Sequence, residues 1–267
     1  MPTESGPGAA RGYWDAVGGE WAATRRDGFW RRCSDAIHAR WLEEAAGQLP
    51  PGRVLKTDLF DEAFGDGLAP WFESRGHDLV ACDLAFSTAS GASRKPASVA
   101  AAVADVRQLP FFTSAFDTVF SDSTLDHFDS EDGIRASLLE LHRVLRPGGT
   151  LLLTMDNPVN PIVWLRNLSP GFWMRLGVVP YAVGATCGRR RLTRLLEQAG
   201  FDVPASGTIM HAPRVLLVPW CRHLARRGVT RPGAWLERWL LRFEALGQLP
   251  TREITGHFVA VVARRRP

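Results

Sequence analysis

Acidic residues recur in this sequence directly after short apolar runs, and the residues around them are those of a small-molecule site. Asp58 and Glu62 follow Val54-Leu55, Asp83-Leu84 follows LVAC, and Asp105-Val106 follows an alanine-rich run. Ser121 precedes Asp122-Ser123 and then Asp126-His127, and Asp156-Asn157 closes a fifth apolar run. A carboxylate in the Asp83 position can accept hydrogen bonds from two ribose hydroxyls. One in the Asp105 position can accept from the exocyclic amine of adenine while a neighbouring backbone N–H meets the ring. Leu84 and the residues after Asp105, Val106 among them, supply apolar walls. Together they describe an adenosine site with no phosphate-binding element. Asp126 and His127 are the candidate acid–base pair, since histidine titrates near ~6.5. The other reading of His127 is that it orders its loop by a hydrogen bond. His211, in MHAPR, is a second and weaker candidate base.

Strands must deliver these residues to one edge. Strand patterns cover Val54–Asp58, Leu79–Asp83, Ala101–Asp105, Phe116–Ser121 and Thr150–Met155, the last continuously apolar as a strand covered on both faces should be. Helix patterns lie between them. Over Glu131–Leu145, Ile134, Leu138, Leu141 and Leu145 mark one face at a 3.6 period, with Asp129 or Ser130 as the cap. A second helix near Arg189–Ala199 ends at Gly200, followed by a strand at Phe201–Ser206 and a last strand at Ile254–Ala263. The β-α-β order predicts an α/β fold with a parallel sheet, whose ligand sits outside the carboxyl ends of the strands.

The bulk properties narrow the function further. The net charge is +4, and Lys56 and Lys95 are the only lysines. The basic runs Arg189–Arg194 and Arg264–Arg266 lack the aromatic interleaving of a nucleic-acid surface, so no nucleic-acid partner is expected. The four cysteines are far apart and form no metal-ligand spacing, so no metal is expected. Free thiols and a polar N-terminus without a secretory pattern point to the cytoplasm. Residues 1–50 are expected to form a tail, disordered to residue 12, and an aromatic helical cap. Residues 51–267 form the main domain, with helical inserts near 159–186 and 210–247. In the second insert Trp235, Trp239, Phe243 and Leu246 share a helical face. That face either packs on the core or meets a membrane surface.

The ordered motifs resemble the class I S-adenosylmethionine-dependent methyltransferases. The matching pieces are Val54–Asp58, LVACDLA, DVRQLPF at Asp105–Phe111, FDTVFSDSTLDHF at Phe116–Phe128, and ELHRVLRPGGTLLLTMDNP at Glu140–Pro158. The resemblance implies a Rossmann-like seven-stranded, mostly parallel sheet with an antiparallel last strand. Helices cover both faces, with helical additions at both termini. It also implies S-adenosyl-L-methionine as cofactor, and the Trp-, Phe- and Leu-rich segments outside the core point to a small, hydrophobic methyl acceptor. Asp58, Glu62, Asp83, Leu84, Asp105, Val106 and Ser121 would bind the cofactor. The family's strand-one acid and GxGxG are missing: Lys56 holds the acid's place and Thr57–Ala63 has no glycine. Asp58 or Glu62 is then the residue to hold the cofactor's ammonium. The alternative is a degenerate, methyltransferase-like protein that binds cofactor or a partner without catalysis. A nicotinamide enzyme is disfavoured, because nothing after strand one can hold a pyrophosphate.

Overall fold

The computed structural model describes residues 7–24, 28–95, 99–175, 179, 181, 183–229 and 233–267. Twelve α-helices and seven strands are assigned among them. In chain order they run α1 (Pro7–Thr24), α2 (Gly28–Ala46), β1 (Arg53–Lys56), α3 (Phe60–Phe64), α4 (Ala69–Glu73), β2 (Asp78–Asp83), α5 (Phe86–Ser93), β3 (Ala100–Val103) and β4 (Phe116–Asp122). Then come α6 (Glu131–Val144), β5 (Leu145–Asp156), α7 (Pro161–Leu168), α8 (Pro170–Arg175), α9 (Arg189–Gln198), β6 (Phe201–Ile209), α10 (Arg214–Arg226), α11 (Ala234–Phe243), α12 (Arg252–Thr255) and β7 (Phe258–Arg265).

The sheet order is β3-β2-β1-β4-β5-β7-β6. Neighbours from β3 to β5 pair in parallel, and β7 runs antiparallel to both β5 and β6. Chain order reverses between β1 and β4, which places a crevice at the carboxyl ends of those two strands.

Three apolar cores hold the layers together. On one face Ile134, Leu138 and Leu141 of α6 and Leu192, Leu195 and Leu196 of α9 pack on Leu151, Leu153, Val259 and Val261. On the other, Leu42 of α2, Phe72 of α4 and Ala89 of α5 cover Val54, Phe120 and Leu152. The third lies above the sheet edge. There Phe29, Trp30, Cys33 and Ile37 of α2 meet Leu217 and Cys221 of α10 and Leu236 and Leu240 of α11. The α6 helix shows why the pattern was readable: Ser130 Oγ caps Gly133 N, Glu131 and Asp132 open the first turn, and His142 and Arg143 close the last.

Three expectations need correction. Residues 7–12 belong to α1 and are not disordered; residues 1–6 lie outside the described residues. The last strand begins at Phe258, because Ile254 sits in the short helix α12, half exposed, and Gly256 ends that helix. The aromatic face of α11 is not its packed face: Leu236 and Leu240 are buried, whereas Trp235 and Trp239 are exposed and contact Trp220. No helix among the described residues is long and apolar enough to cross a membrane.

Candidate functional site

A cavity of about 650 Å³ opens at the carboxyl ends of β1, β2, β4 and β5, beneath α1 and α2. Asp58, Asp83, Leu84, Asp105, Val106, Asp126 and His127 all line it. The helices α1, α2, α7 and α10 add Trp14, Trp21, Trp30, Ile162 and Val218. Its size and mixed lining suit a small organic ligand.

The turn after β1 is built by charge pairs instead of glycines. Lys56 is buried, and its Nζ lies 2.8 Å from Glu62 Oε2, 4.0 Å from Asp58 Oδ1, and donates to the Asp58 carbonyl. Burial alone would lower the Lys56 pKa, but Glu62, Asp58 and Asp122 outweigh it and hold the amine charged. The other oxygen of Glu62 accepts from the backbone N–H of Leu68 (2.9 Å) and Ala69 (3.3 Å). Asp58 Oδ1 accepts from Phe60 N at 3.0 Å, closing a tight polar turn. Between Val54 and Asp66 no residue takes a positive φ, so this turn requires no glycine. Gly67 is different. Its φ is +69°, and a Cβ there would stand 2.7 Å from Glu62 Oε1.

Two of the expected cofactor residues therefore do not line the cavity. Glu62 is buried against Lys56 and backbone amides. Ser121 is fully buried behind the wall, where its Oγ accepts from Thr57 Oγ1 at 3.0 Å. Successive strand residues alternate faces, and Asp122 is the one that lines the cavity. His211 also lies away from it, bonded to Thr255 Oγ1 (2.7 Å) and the Thr208 carbonyl (3.0 Å).

The remaining acids carry distinct electrostatics. Asp58 titrates well above the ordinary carboxylate range because it is buried and faces Asp83, Asp61 and Glu62, with Lys56 opposing. Asp83 accepts from Leu59 N (3.1 Å) and Ala85 N (2.8 Å), yet burial still raises it to about 6. It thus ties the turn after β1 to the end of β2. Burial pushes Asp105 upward, but Arg107 grips both its oxygens at 3.0 and 2.6 Å and holds it below the ordinary value. The same guanidinium lies 4.9 Å from the Phe128 ring, so Arg107 and Phe128 form one wall.

Asp126 is also raised to about 6, by burial and by Asp156 beside it. Its Oδ2 accepts from Asp156 N at 3.0 Å, while the buried Oδ1 has no hydrogen-bond partner among the described residues and faces His127 Nε2 at 3.9 Å. His127 is packed edge-on between Trp14 (4.6 Å) and Tyr181 (5.6 Å). At the end of β4, Ser123 adopts a left-handed backbone (φ 46°) against the cavity, with its N–H donating to Thr154. Such a strained position is costly and concentrates at functional sites.

Several wall residues carried no signal in the sequence. His38 of α2 reaches over the sheet to Asp122, with Nε2 3.3 Å from Oδ1. Arg31 of α2 pairs with Asp61 and lies against the Phe60 and Trp21 rings. Arg166 of α7 meets Asp156 at 2.7 Å. Each pair joins two different elements of the fold, so only the fold reveals it. Burial opposes the charge on His38, but Asp122 outweighs it and raises the imidazole from 6.5 to about 9. Asp122 falls to about 2, since His38 and Lys56 outweigh its burial. A raised histidine contributes stability that is complete below 6.5 and lost as pH rises through 9. His38→Gln should therefore flatten the stability curve between pH 6.5 and 9. In urea denaturation the wild type should lose on the order of 3 kcal/mol more than the variant over that window.

Comparison with known proteins follows from this geometry. A family model described as a methyltransferase domain matches residues 61–153, beginning just after the β1 turn. A curated relative, a malonyl-(acyl-carrier protein) O-methyltransferase of Enterobacter lignolyticus (strain SCF1), is 30% identical over 125 residues, covering 46% of this chain and 45% of that protein. The chain spans less than half the length of the curated relatives it matches. Among solved structures, the 1,6-didemethyltoxoflavin-N1-methyltransferase of Burkholderia thailandensis superposes with a TM-score of 0.58 at 18% identity, covering 100% of this chain and 91% of that one. The cyclase SpnF superposes with a TM-score of 0.57 at 15% identity, covering 90% and 84%.

Proposed function

We propose that this chain, whose residues 61–153 match a methyltransferase domain, is of the class I type and transfers a methyl group from S-adenosyl-L-methionine to a small, hydrophobic molecule. The observation that supports this best is the placement of Asp58, Asp83 and Asp105 around one cavity, at the ends of β1, β2 and β3. On this reading Asp83 accepts from the ribose hydroxyls. Leu84, Val106 and Phe128 wall the adenine, and Asp105, already steadied by Arg107, meets its amine. Asp58 holds the ammonium, in place of both the missing strand-one acid and Glu62.

When bound, the cofactor supplies a sulfonium methyl group, and the protein's task is to hold the acceptor in line with it. On this reading Asp126 Oδ1, buried and without a hydrogen-bond partner among the described residues, takes a proton from a hydroxyl or carbon acid, with His127 beside it. The pocket's tryptophans and α7 side chains suit an apolar acceptor.

The Asp58 assignment has a specific consequence. Asp58→Asn should weaken S-adenosylhomocysteine by about 10-fold or more, the worth of one charge-assisted bond. It should leave 5′-methylthioadenosine, which lacks the amino-acid end, nearly unchanged. Calorimetry on the purified proteins checks both, and equal losses for the two ligands would sink the assignment. The degenerate reading is kept because Lys56 fills the acid's place and because a cyclase shares this fold. Wild-type protein that fails to bind S-adenosylhomocysteine would favour it.

A further inference from the structure

The charged groups of the cavity wall are nearly all answered from within the protein. Arg31 has Asp61, His38 has Asp122, Arg107 has Asp105, and Arg166 has Asp156. Arg214, at the start of α10, is the exception. Among the described residues its guanidinium has ring contacts only, with Cζ 5.6 Å from the Trp30 centroid and 5.5 Å from that of Phe258. The acid acting on it most strongly is Asp156, which is already bridged by Arg166 at 2.7 Å and approached by His257 at 3.5 Å. Burial holds the Arg214 pKa below its ordinary value, and the Arg214 charge adds to the burial that pushes His257 well down. A guanidinium cannot discharge itself, so one that is partly buried and faces a cavity without a hydrogen-bonded acid of its own calls for an anion.

The surroundings define what else that anion carries. Ile162 and Leu165 of α7 and Val215 and Val218 of α10 line the same cavity. Ile162, Leu165 and Val215 remain 48%, 45% and 48% exposed, and Leu168 and Leu216 of the same two helices are exposed as well. The cofactor's own carboxylate is a poor candidate for this place. Asp156 ends β5 and Phe258 starts β7, which lie two and three strands away from β1 in the sheet. At about 4.8 Å per strand that is roughly 10–14 Å.

We propose that the methyl acceptor is an amphiphile whose carboxylate is anchored by Arg214 and whose apolar chain leaves the cavity between α7 and α10. The planar fork of arginine fits a carboxylate edge-on with two parallel hydrogen bonds. The proposal rests on the methyl-transfer reading above and adds the chemical class of its acceptor.

Calorimetry on protein saturated with S-adenosylhomocysteine tests it, with octanoate, octan-1-ol and octyl phosphate as probes. Octanoate should bind at least about tenfold more tightly than octan-1-ol. Arg214→Gln should abolish that advantage and Arg214→Lys should keep part of it. In both variants the affinity for S-adenosylhomocysteine should change by less than about threefold, which also shows that the variants fold. Equal binding of octanoate and octan-1-ol would overturn the proposal, as would Arg214-dependent binding of octyl phosphate alone. A loss of S-adenosylhomocysteine affinity in Arg214→Gln that matches the loss for octanoate would assign Arg214 to the cofactor and overturn it too. If the wild type bound no S-adenosylhomocysteine, the underlying methyl-transfer reading would fail instead.

Discussion

Lys56→Ala should cost about 3–5 kcal/mol of folding stability, the usual penalty for stripping a buried charge of its partner. Lys56 and Glu62 are both buried, 2.8 Å apart, and the variant would leave Glu62 Oε2 facing the vacated space while its other oxygen stays held by the Leu68 and Ala69 amides. The penalty belongs to the broken pair more than to the lost contact. Lys56→Met combined with Glu62→Gln removes both charges and keeps an acceptor for the two amides. That double variant should recover to within about 2 kcal/mol of the wild type. Urea denaturation of the three proteins measures it. A single variant within about 1 kcal/mol of wild type would show that the turn after β1 is not held by this pair.

Asp83→Ala should reduce affinity for S-adenosylhomocysteine by roughly a hundredfold or more, because two charge-assisted hydrogen bonds are lost. Part of the damage is internal, since Leu59 N and Ala85 N lose their acceptor and the turns after β1 and β2 come apart. Asp83→Asn keeps an acceptor oxygen for one of those amides and separates the two contributions. A pH dependence accompanies the assignment. Asp83 is raised to about 6 in the free protein, and a carboxylate that accepts ribose hydroxyls favours the ionised form. Binding must then expel a proton from Asp83 below pH 6, so Asp83 contributes a rise in wild-type affinity with pH up to about 6, to which Asp58, also raised, adds its own. Asp83→Ala should lose the Asp83 share of that rise. A variant within about threefold of wild type at every pH would remove Asp83 from the site.

The difference between what the sequence revealed and what it concealed follows from how local each signal is. The α6 helix and the strand-end acids rest on periodicity and order within a few residues, the antiparallel last strand on the family resemblance, and the structure has all three. Lys56 looked like a defect because the sequence shows a missing acid and missing glycines, not the route of the turn. With no left-handed residue between Val54 and Asp66, the turn needs no glycine, and Lys56 with Glu62 fills the space. Placing Glu62 at the cavity failed for the same reason: its partner lies six residues back, on the strand. Ser121 failed through strand alternation, which points Asp122 into the cavity and Ser121 toward Thr57. His38 and Arg214 were out of reach because their neighbours, Asp122 and Phe258, come from other layers.

A crystal structure of the complex with S-adenosylhomocysteine tests the glycine-free turn as a cofactor site most directly. The ribose hydroxyls should lie within hydrogen-bond distance of Asp83, the adenine beside Leu84 and Val106, and the amino group against Asp58, with the Lys56–Glu62 pair intact behind it. An amino group held elsewhere, or crystals that take up no ligand at millimolar concentration, would contradict the assignment.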